Sequence, residues 1–351
     1  MRKCIILILC VSLFLTGCSW LDGEYHSVTP HTSDGTQQSD DVVTVATYTD
    51  LRDALVKMVS SGRQESTFYL TGFGLDMVDN YMKKSINHVF ENSAIGAYAV
   101  DKIEYEGGIR GKLYAIAVDV SYVHGRQEIM RIKSVGKMDD AKALIRNALR
   151  NCEGSTVIKV SEYQVLNVEK FVQDYASNNP HICMELPSVT TSVYPEFGQE
   201  RILEITFTYQ TPRDSLREMQ NAVSPIFAAA EMYVAGSEGE LQKYEQLSSF
   251  LMERFDYKIE SSITPVYSLV RYGVGDSKAF AMVYSIMCQN ADLECQVVSG
   301  TKDGKAYYWN LIRCDGVDYH VDLLESEENG EFTPMIPEEM SGYVWDYSKF
   351  Q

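Results

Sequence analysis

Between Gly273 and Asp322 the chain reads GVGDSKAFAMVYSIMCQNADLECQVVSGTKDGKAYYWNLIRCDGVDYHVD, and its residue types and order could carry chemistry. A glycine-rich turn delivers Ser277 to the start of an apolar helix. Phe280, Ala281, Tyr284, Met287 and Cys288 recur on one side of that helix, which is therefore its buried side. Three β-rich runs follow, and the last ends on Asp322. Backbone N–H groups at a helix start can hold an oxyanion. A hydroxyl there still needs a base, because it is far less acidic than a thiol. His320 precedes Asp322 by two residues on a predicted strand, so both point to one face, ~6.6 Å apart. It could serve Ser277 as a base, or it is a polar strand residue. Cys288 cannot supply a thiol at the helix start, because it lies on the buried face ~16 Å along the helix at 1.5 Å per residue.

Several short motifs agree in order and spacing. Val298-Ser299-Gly300 closes the strand after the helix, and Trp309-Asn310 sits in the next run. Tyr319-His320-Val321-Asp322 ends the third, and Met340-Ser341-Gly342-Tyr343-Val344-Trp345-Asp346 closes the region. Over about residues 241–347 this pattern resembles the core of the transglutaminase-like (papain-like) superfamily. The resemblance implies a Cys at the helix start, a His in the family's His-x-Trp-Asn and an Asp on the following strand. Those triad-equivalent positions are Ser277, Tyr307 and Asp322. In the family a thiolate attacks an amide carbonyl, the His carries the proton and the Asp orients the His. A phenol of pKa ~10 is protonated at neutral pH and accepts no proton. The resemblance therefore implies the scaffold without its catalysis. Trp309, Asn310 and His320 would line a groove for a peptide, a cell-wall fragment or a protein partner. The alternative is an amide hydrolase or acyltransferase using Ser277. No cofactor and no metal are expected. Asp303, Asp315, Asp318, Asp322, Glu325, Glu327 and Glu328 form no Asp-x-Asp-x-Asp-Gly loop for calcium and read as a solvated surface.

The elements that must position this stretch begin upstream. Ala222–Val234 and Leu241–Met252 carry apolar residues at i, i+3 and i+4, with Gly236 and Gly239 marking a break. Before them the chain repeats itself. Leu51 to Leu55 and Ile145 to Leu149 begin matching helices, and Phe68–Leu70 and Val157–Val160 form short strands. Val78, Tyr81 and Met82 correspond to Val168, Phe171 and Val172. Ile116, Val118, Val120 and Tyr122 alternate as Leu203, Ile205, Phe207 and Tyr209 do. The expected class is α+β: a duplicated helix–strand–helix–strand–strand module over residues 42–220 (repeats about 48–130 and 140–216), then a transglutaminase-like α+β domain over 221–351. His88, His124 and His181 stand apart from other ligand types, save His181-Ile182-Cys183, which lacks a second pair for zinc.

The first residues read as an address. Arg2 and Lys3, an apolar core from Ile5 to Leu15, and Leu15-Thr16-Gly17-Cys18 resemble a bacterial lipoprotein signal over residues 1–17. That implies cleavage before Cys18 and a lipid on it, placing the protein on the bacterial cell membrane, facing outside the cytoplasm. Residues 18–41 have tether composition. Losing Arg2 and Lys3 takes the formal charge from −18 to −20, which repels nucleic acid, so membrane lipid through Cys18 is the expected attachment. Besides Cys18, Cys152, Cys183, Cys288, Cys295 and Cys314 remain, too few and too scattered for a disulfide scaffold.

Overall fold

The computed structural model describes residues 43–346 and Ser348, apart from 73, 260, 261 and 263. The signal sequence, Cys18 and the tether lie outside the described residues. The first module opens with β1 (Val43–Val45) and the helix Tyr48–Ser60, started by a capping box in which Thr47 accepts from the Asp50 N–H and Asp50 accepts from the Thr47 N–H. Then come β2 (Glu65–Leu70), the helices Val78–Asn92 and Ala94–Ala99, β3 (Val100–Arg110) and β4 (Leu113–Tyr122). The second module has β5 (Lys133–Lys137), the helix Met138–Arg150, β6 (Ser155–Glu162), the helix Val168–Asn178, β7 (Ser188–Tyr194) and β8 (Arg201–Thr208).

The two sheets share one topology. Their orders are β1-β2-β4-β3 and β5-β6-β8-β7, each with a parallel first pair and antiparallel remainder. An edge strand thus precedes each module's first helix, which the sequence pattern did not indicate. It also corrects one pairing. Ile145 to Leu149 form the last turns of Met138–Arg150, not its start, so Leu55 and Val59 of the first module correspond to Ile145 and Leu149 of the second. With that shift, Val43 and Lys133, Phe68 and Ile158, and Val78 and Val168 keep one spacing. Each module has its own core under its helices, one around Leu51, Leu55, Phe68 and Ile116, the other around Ile145, Leu149, Ile158 and Leu203.

The opposite sheet faces differ. In the second module that face is covered by Ala94–Ala99 of the first: Ala94, Tyr98 and Ala99 pack on Ile202, with Ile129, Val157 and Tyr194 around them. In the first module it is open and carries Glu65, Thr67, Glu104, Glu106 and Asp119. The patch covered by Ala94–Ala99 is apolar and the open face of the first module polar, so the two repeats diverge there.

The last domain starts with the helices Arg213–Val234 and Glu240–Met252, then β9 (Asp256–Tyr257), the helix Pro265–Tyr272, β10 (Val274–Gly275) and the helix Ser277–Asn290. Its sheet holds β11 (Cys295–Lys302), β12 (Lys305–Cys314), β13 (Val317–Val321) and β14 (Tyr343–Trp345) in the order β13-β12-β11-β14. The helix Leu323–Asn329 follows β13. Phe280, Val283, Tyr284 and Met287 bury the Ser277 helix against the neighbouring helices and one face of this sheet. Cys152 and Met184 of the second module join that same core, so the second module is packed into the last domain. Among the described residues no helix is long and apolar enough to cross a membrane.

Ile202 is fully buried between the modules. Ile202→Asp should lower the unfolding free energy by about 3 kcal/mol or more, while Thr67→Asp on the open face should cost under about 1 kcal/mol, both read from urea unfolding.

Candidate functional site

Two glycines deliver Ser277. Gly273 ends the Pro265–Tyr272 helix with φ +80, a left-handed conformation that disfavours side chains. At Gly275 a Cβ would lie 2.8 Å from the Ala279 Cβ. Asp276 then caps the helix by accepting from the Ala279 N–H at 3.0 Å. Its carboxylate occupies the positive end of the helix, beside the position where a nucleophile would need that field. Ser277 is 8% exposed, and its Oγ accepts from the Tyr308 N–H at 3.3 Å.

Two hairpin turns set the sheet register. Asp303-Gly304 and Asp315-Gly316 both take positive φ, as two-residue turns of this kind require. Lys302 is thereby opposite Lys305, Gly300 opposite Tyr307, and Leu311 opposite His320. β14 pairs with β11 and puts Tyr343 opposite Lys302.

These registers converge on Asp322, which is 1% exposed. Its Oδ1 accepts from the Tyr307 hydroxyl at 3.0 Å and from the Leu324 N–H at 3.1 Å, capping the helix that follows. Its Oδ2 accepts from Lys302 Nζ at 2.8 Å, and Lys302 reaches Glu325 at 2.8 Å as well. The Tyr343 hydroxyl lies 2.5 Å from both carboxylates. With one proton it donates to one of them, and the Lys302 charge is shared by the pair. Lys302 also sits over the rings of Tyr307 and Tyr343, 5.2 and 4.9 Å from their centroids. Burial and then the Asp322 charge push the Tyr307 hydroxyl well above the usual phenol range. Burial lowers the Lys302 pKa, but its hydrogen bonds to Asp322 and Glu325 outweigh this and hold it above its ordinary value. The hydrogen bonds from Lys302 and Tyr343 hold Glu325 below its ordinary value. The side chains hydrogen-bonded to Asp322 itself, Tyr307, Lys302 and Tyr343, are therefore proton donors at neutral pH, and none of the three is a base.

Comparison with known proteins agrees with this geometry. A sequence profile of the transglutaminase-like superfamily core matches residues 228–323. Residues 228–323 form a transglutaminase-like domain. Similar solved structures include a TGase (9% identity, 55% of this chain, 58% of that one, TM-score 0.28). Others are a putative cysteine protease from Cytophaga hutchinsonii (8%, 45% and 70%, TM-score 0.27) and a putative protease from Parabacteroides distasonis (7%, 74% and 40%, TM-score 0.25). The chain spans just over half the length of the TGase. No curated protein matches the chain.

The transglutaminase-like domain brings Tyr307 and Asp322 together, as the motif register predicts. The expected groove residues are placed differently. Trp309 is 1%, Asn310 0% and His320 3% exposed, so they pack the domain instead of lining a groove. Asn310 Nδ2 donates to the Ala281 carbonyl at 2.9 Å, fastening the sheet to the Ser277 helix. Trp309 Nε1 donates to His320 Nδ1 at 2.9 Å, and the His320 ring packs 4.6 Å from that of Trp345. Burial lowers the His320 pKa, so the ring is a neutral acceptor of the Trp309 proton, not a partner for Ser277. β13 ends at Val321, so Asp322 has already turned into the next helix. Exposed tyrosines flank the turn that delivers Ser277: Tyr257 (44% exposed) pairs with Gly275 and Tyr272 (68%) ends the preceding helix, while Lys278 Nζ lies over the ring of half-buried Tyr308. A small cleft of about 140 Å³ runs from Lys278, Tyr267 and Met282 to Pro180 and Leu186 of the second module.

Sequence reasoning missed Lys302 and Tyr343 as members of the site. The Asp303-Gly304 hairpin signal held the information, since it sets Lys302 two positions from Gly300 on the face that carries Tyr307. The other acids are engaged elsewhere: Asp303 and Asp315 in turns, and Asp318 with Arg313 at 2.8 Å. Among the described residues no group of three His, Cys, Asp or Glu could hold a metal. The five cysteines after residue 43 are free and buried.

Lys302→Met leaves Asp322 and Glu325 without their cation and should cost about 3 kcal/mol in urea unfolding at pH 7. Glu325 titrates in the fold below its ordinary 4.5, so its contribution is complete above that value and is lost as pH falls through the folded pKa. The stability gap between the native chain and Glu325→Gln should therefore shrink between pH 6 and about pH 3, measured by the same unfolding.

Proposed function

We propose that this protein is a membrane-anchored surface lipoprotein whose transglutaminase-like domain binds a peptide, cell-wall or protein partner without turning it over. The observation that carries the reading is the Tyr307–Asp322 hydrogen bond. It reproduces the contact an imidazole would make with the acid, but a phenol in that place donates its proton and has none to take up. Among the described residues the Ser277 side chain hydrogen-bonds to a backbone N–H, and the neighbouring Asp276 carboxylate is engaged in capping the helix start. Lys302, a Lys of raised pKa, is protonated and cannot serve as a substitute base. Attachment rests on Leu15-Thr16-Gly17-Cys18, with lipid on Cys18 and the body outside the cytoplasm. Binding would use the exposed tyrosines beside Ser277, since Tyr gives large contact area at low entropic cost.

The lipidated protein should release nothing from amide and ester substrates, by chromatography of the products. Turnover that disappears in Ser277→Ala would sink the proposal. In the double variant Ser277→Cys/Tyr307→His, thiol alkylation at pH 7 should become at least about tenfold faster than in Ser277→Cys alone, because Asp322 stands ready to orient the new imidazole. Retention on isolated cell-wall material or on membrane proteins from the same cells should fall about tenfold in Tyr257→Ala/Tyr272→Ala and stay unchanged in Ser277→Ala.

A further inference from the structure

The two modules differ most at one hairpin. β3 and β4 run for 11 and 10 residues, while β7 and β8 run for 7 and 8. The extra length carries Gly107-Gly108-Ile109-Arg110-Gly111-Lys112-Leu113 to a tip that turns at Gly111, φ +67. At that tip Ile109 is 77% and Leu113 41% exposed. From Gly107 to Val118 the chain holds Arg110 and Lys112 and no acid, in a protein of formal charge −18. The corresponding turn of the second module also exposes an apolar residue, Phe197 at 73%, but sets it between Glu196 and Glu200. The first tip carries its apolar residues with two cations and no acid, whereas at the second Arg201 is tied to the Gly198 carbonyl and two acids flank Phe197.

The tip belongs to the sheet by which the chain enters the fold. β1 begins at Val43 and runs in register with β2 and β4, Val45 opposite Leu70 and Leu70 opposite Tyr114, which in turn faces Ile109. The sequence between Cys18 and Val43 could span on the order of 80 Å if extended, so a bilayer holding Cys18 is within reach of the tip.

We infer that this hairpin tip seats on the bilayer that carries the anchor, with Ile109 and Leu113 entering the headgroup region and Arg110 and Lys112 meeting anionic phospholipid. The inference rests on the anchored reading above. Apolar residues flanked by Lys and Arg suit the boundary between headgroups and acyl chains, and anionic lipid attracts the cations within a Debye length. Two apolar side chains bind a membrane weakly by themselves. An anchor on the same chain raises their effective concentration to roughly millimolar, so the tip need not recruit the protein but only orient it. The strongly acidic remainder is repelled by the same lipid, which fixes one face toward the bilayer and the rest away from it.

The test uses the full lipidated chain in vesicles of phosphatidylcholine with phosphatidylglycerol, carrying an environment-sensitive fluorophore on Gly108→Cys. A side chain there meets no atom within 4 Å. A control label sits on Val165→Cys, a position 92% exposed in the second module. Quenching by nitroxide-bearing lipid should be about threefold greater at the hairpin than at the control. It should fall to the control level in Ile109→Ser/Leu113→Ser and in Arg110→Glu/Lys112→Glu. Equal quenching at the two labels overturns the inference. The mass of the N-terminal peptide reports separately whether Cys18 carries lipid. If it does not, the labelled chain is held to nickel-chelating vesicles by an N-terminal histidine tag: hairpin quenching there upholds the tip although the anchor has failed, and its absence overturns the tip as well.

Discussion

The last domain depends on one buried carboxylate. Taking Asp322 out of water costs several kcal/mol unless its oxygens are satisfied, and each partner that satisfies them belongs to a different element. Tyr307 comes from β12, Lys302 from β11, Tyr343 from β14, and the backbone N–H groups from the helix after β13. The carboxylate thus ties the sheet to its closing strand and to the following helix. An acid that orients an imidazole needs an imidazole to orient, and here a phenol and an ammonium group occupy its oxygens.

The Ser277 helix is held independently of that knot. Its apolar side chains enter the largest core, and Asn310 fastens it to the sheet through the Ala281 carbonyl. The packing that positions the start of this helix is thus separate from the polar groups gathered around Asp322. Upstream, the module pair follows the same economy of faces. The helix Ala94–Ala99 of one module closes the apolar patch around Ile202 on the sheet of the next, and the second module is packed in turn into the last domain. Among the described residues nothing covers the corresponding face of the first module, which is polar.

Much of this was legible in the chain. The 3.6-residue spacing of Phe280, Tyr284 and Met287 predicted the buried side of the Ser277 helix, and the alternation in β4 and β8 predicted which residues face inward. Trp309-Asn310 and the Tyr-x-x-Asp ending located Tyr307 and Asp322. What escaped were features with weak local signals: edge strands as short as β1, the true register of Ile145 to Leu149 within its helix, and the role of Lys302. Trp309, Asn310 and His320 misled because a motif gives a residue's place along a strand but not what closes over it. Here Met335, Met340 and Tyr343 pack over Trp309, and Trp345 packs on His320.

The sequence by itself determined which side chains stand at positions 277 and 307, because no fold turns a serine into a thiol or a phenol into an imidazole. It also determined the α+β class, since the apolar periods of the strands and helices are local. Only the tertiary structure decided that a lysine two residues beyond Gly300 would neutralise Asp322, that His320 would serve Trp309 and not Ser277, and that one repeat would cover the other. Those outcomes depend on cross-strand register and on which faces meet, and both arise between segments far apart in the chain.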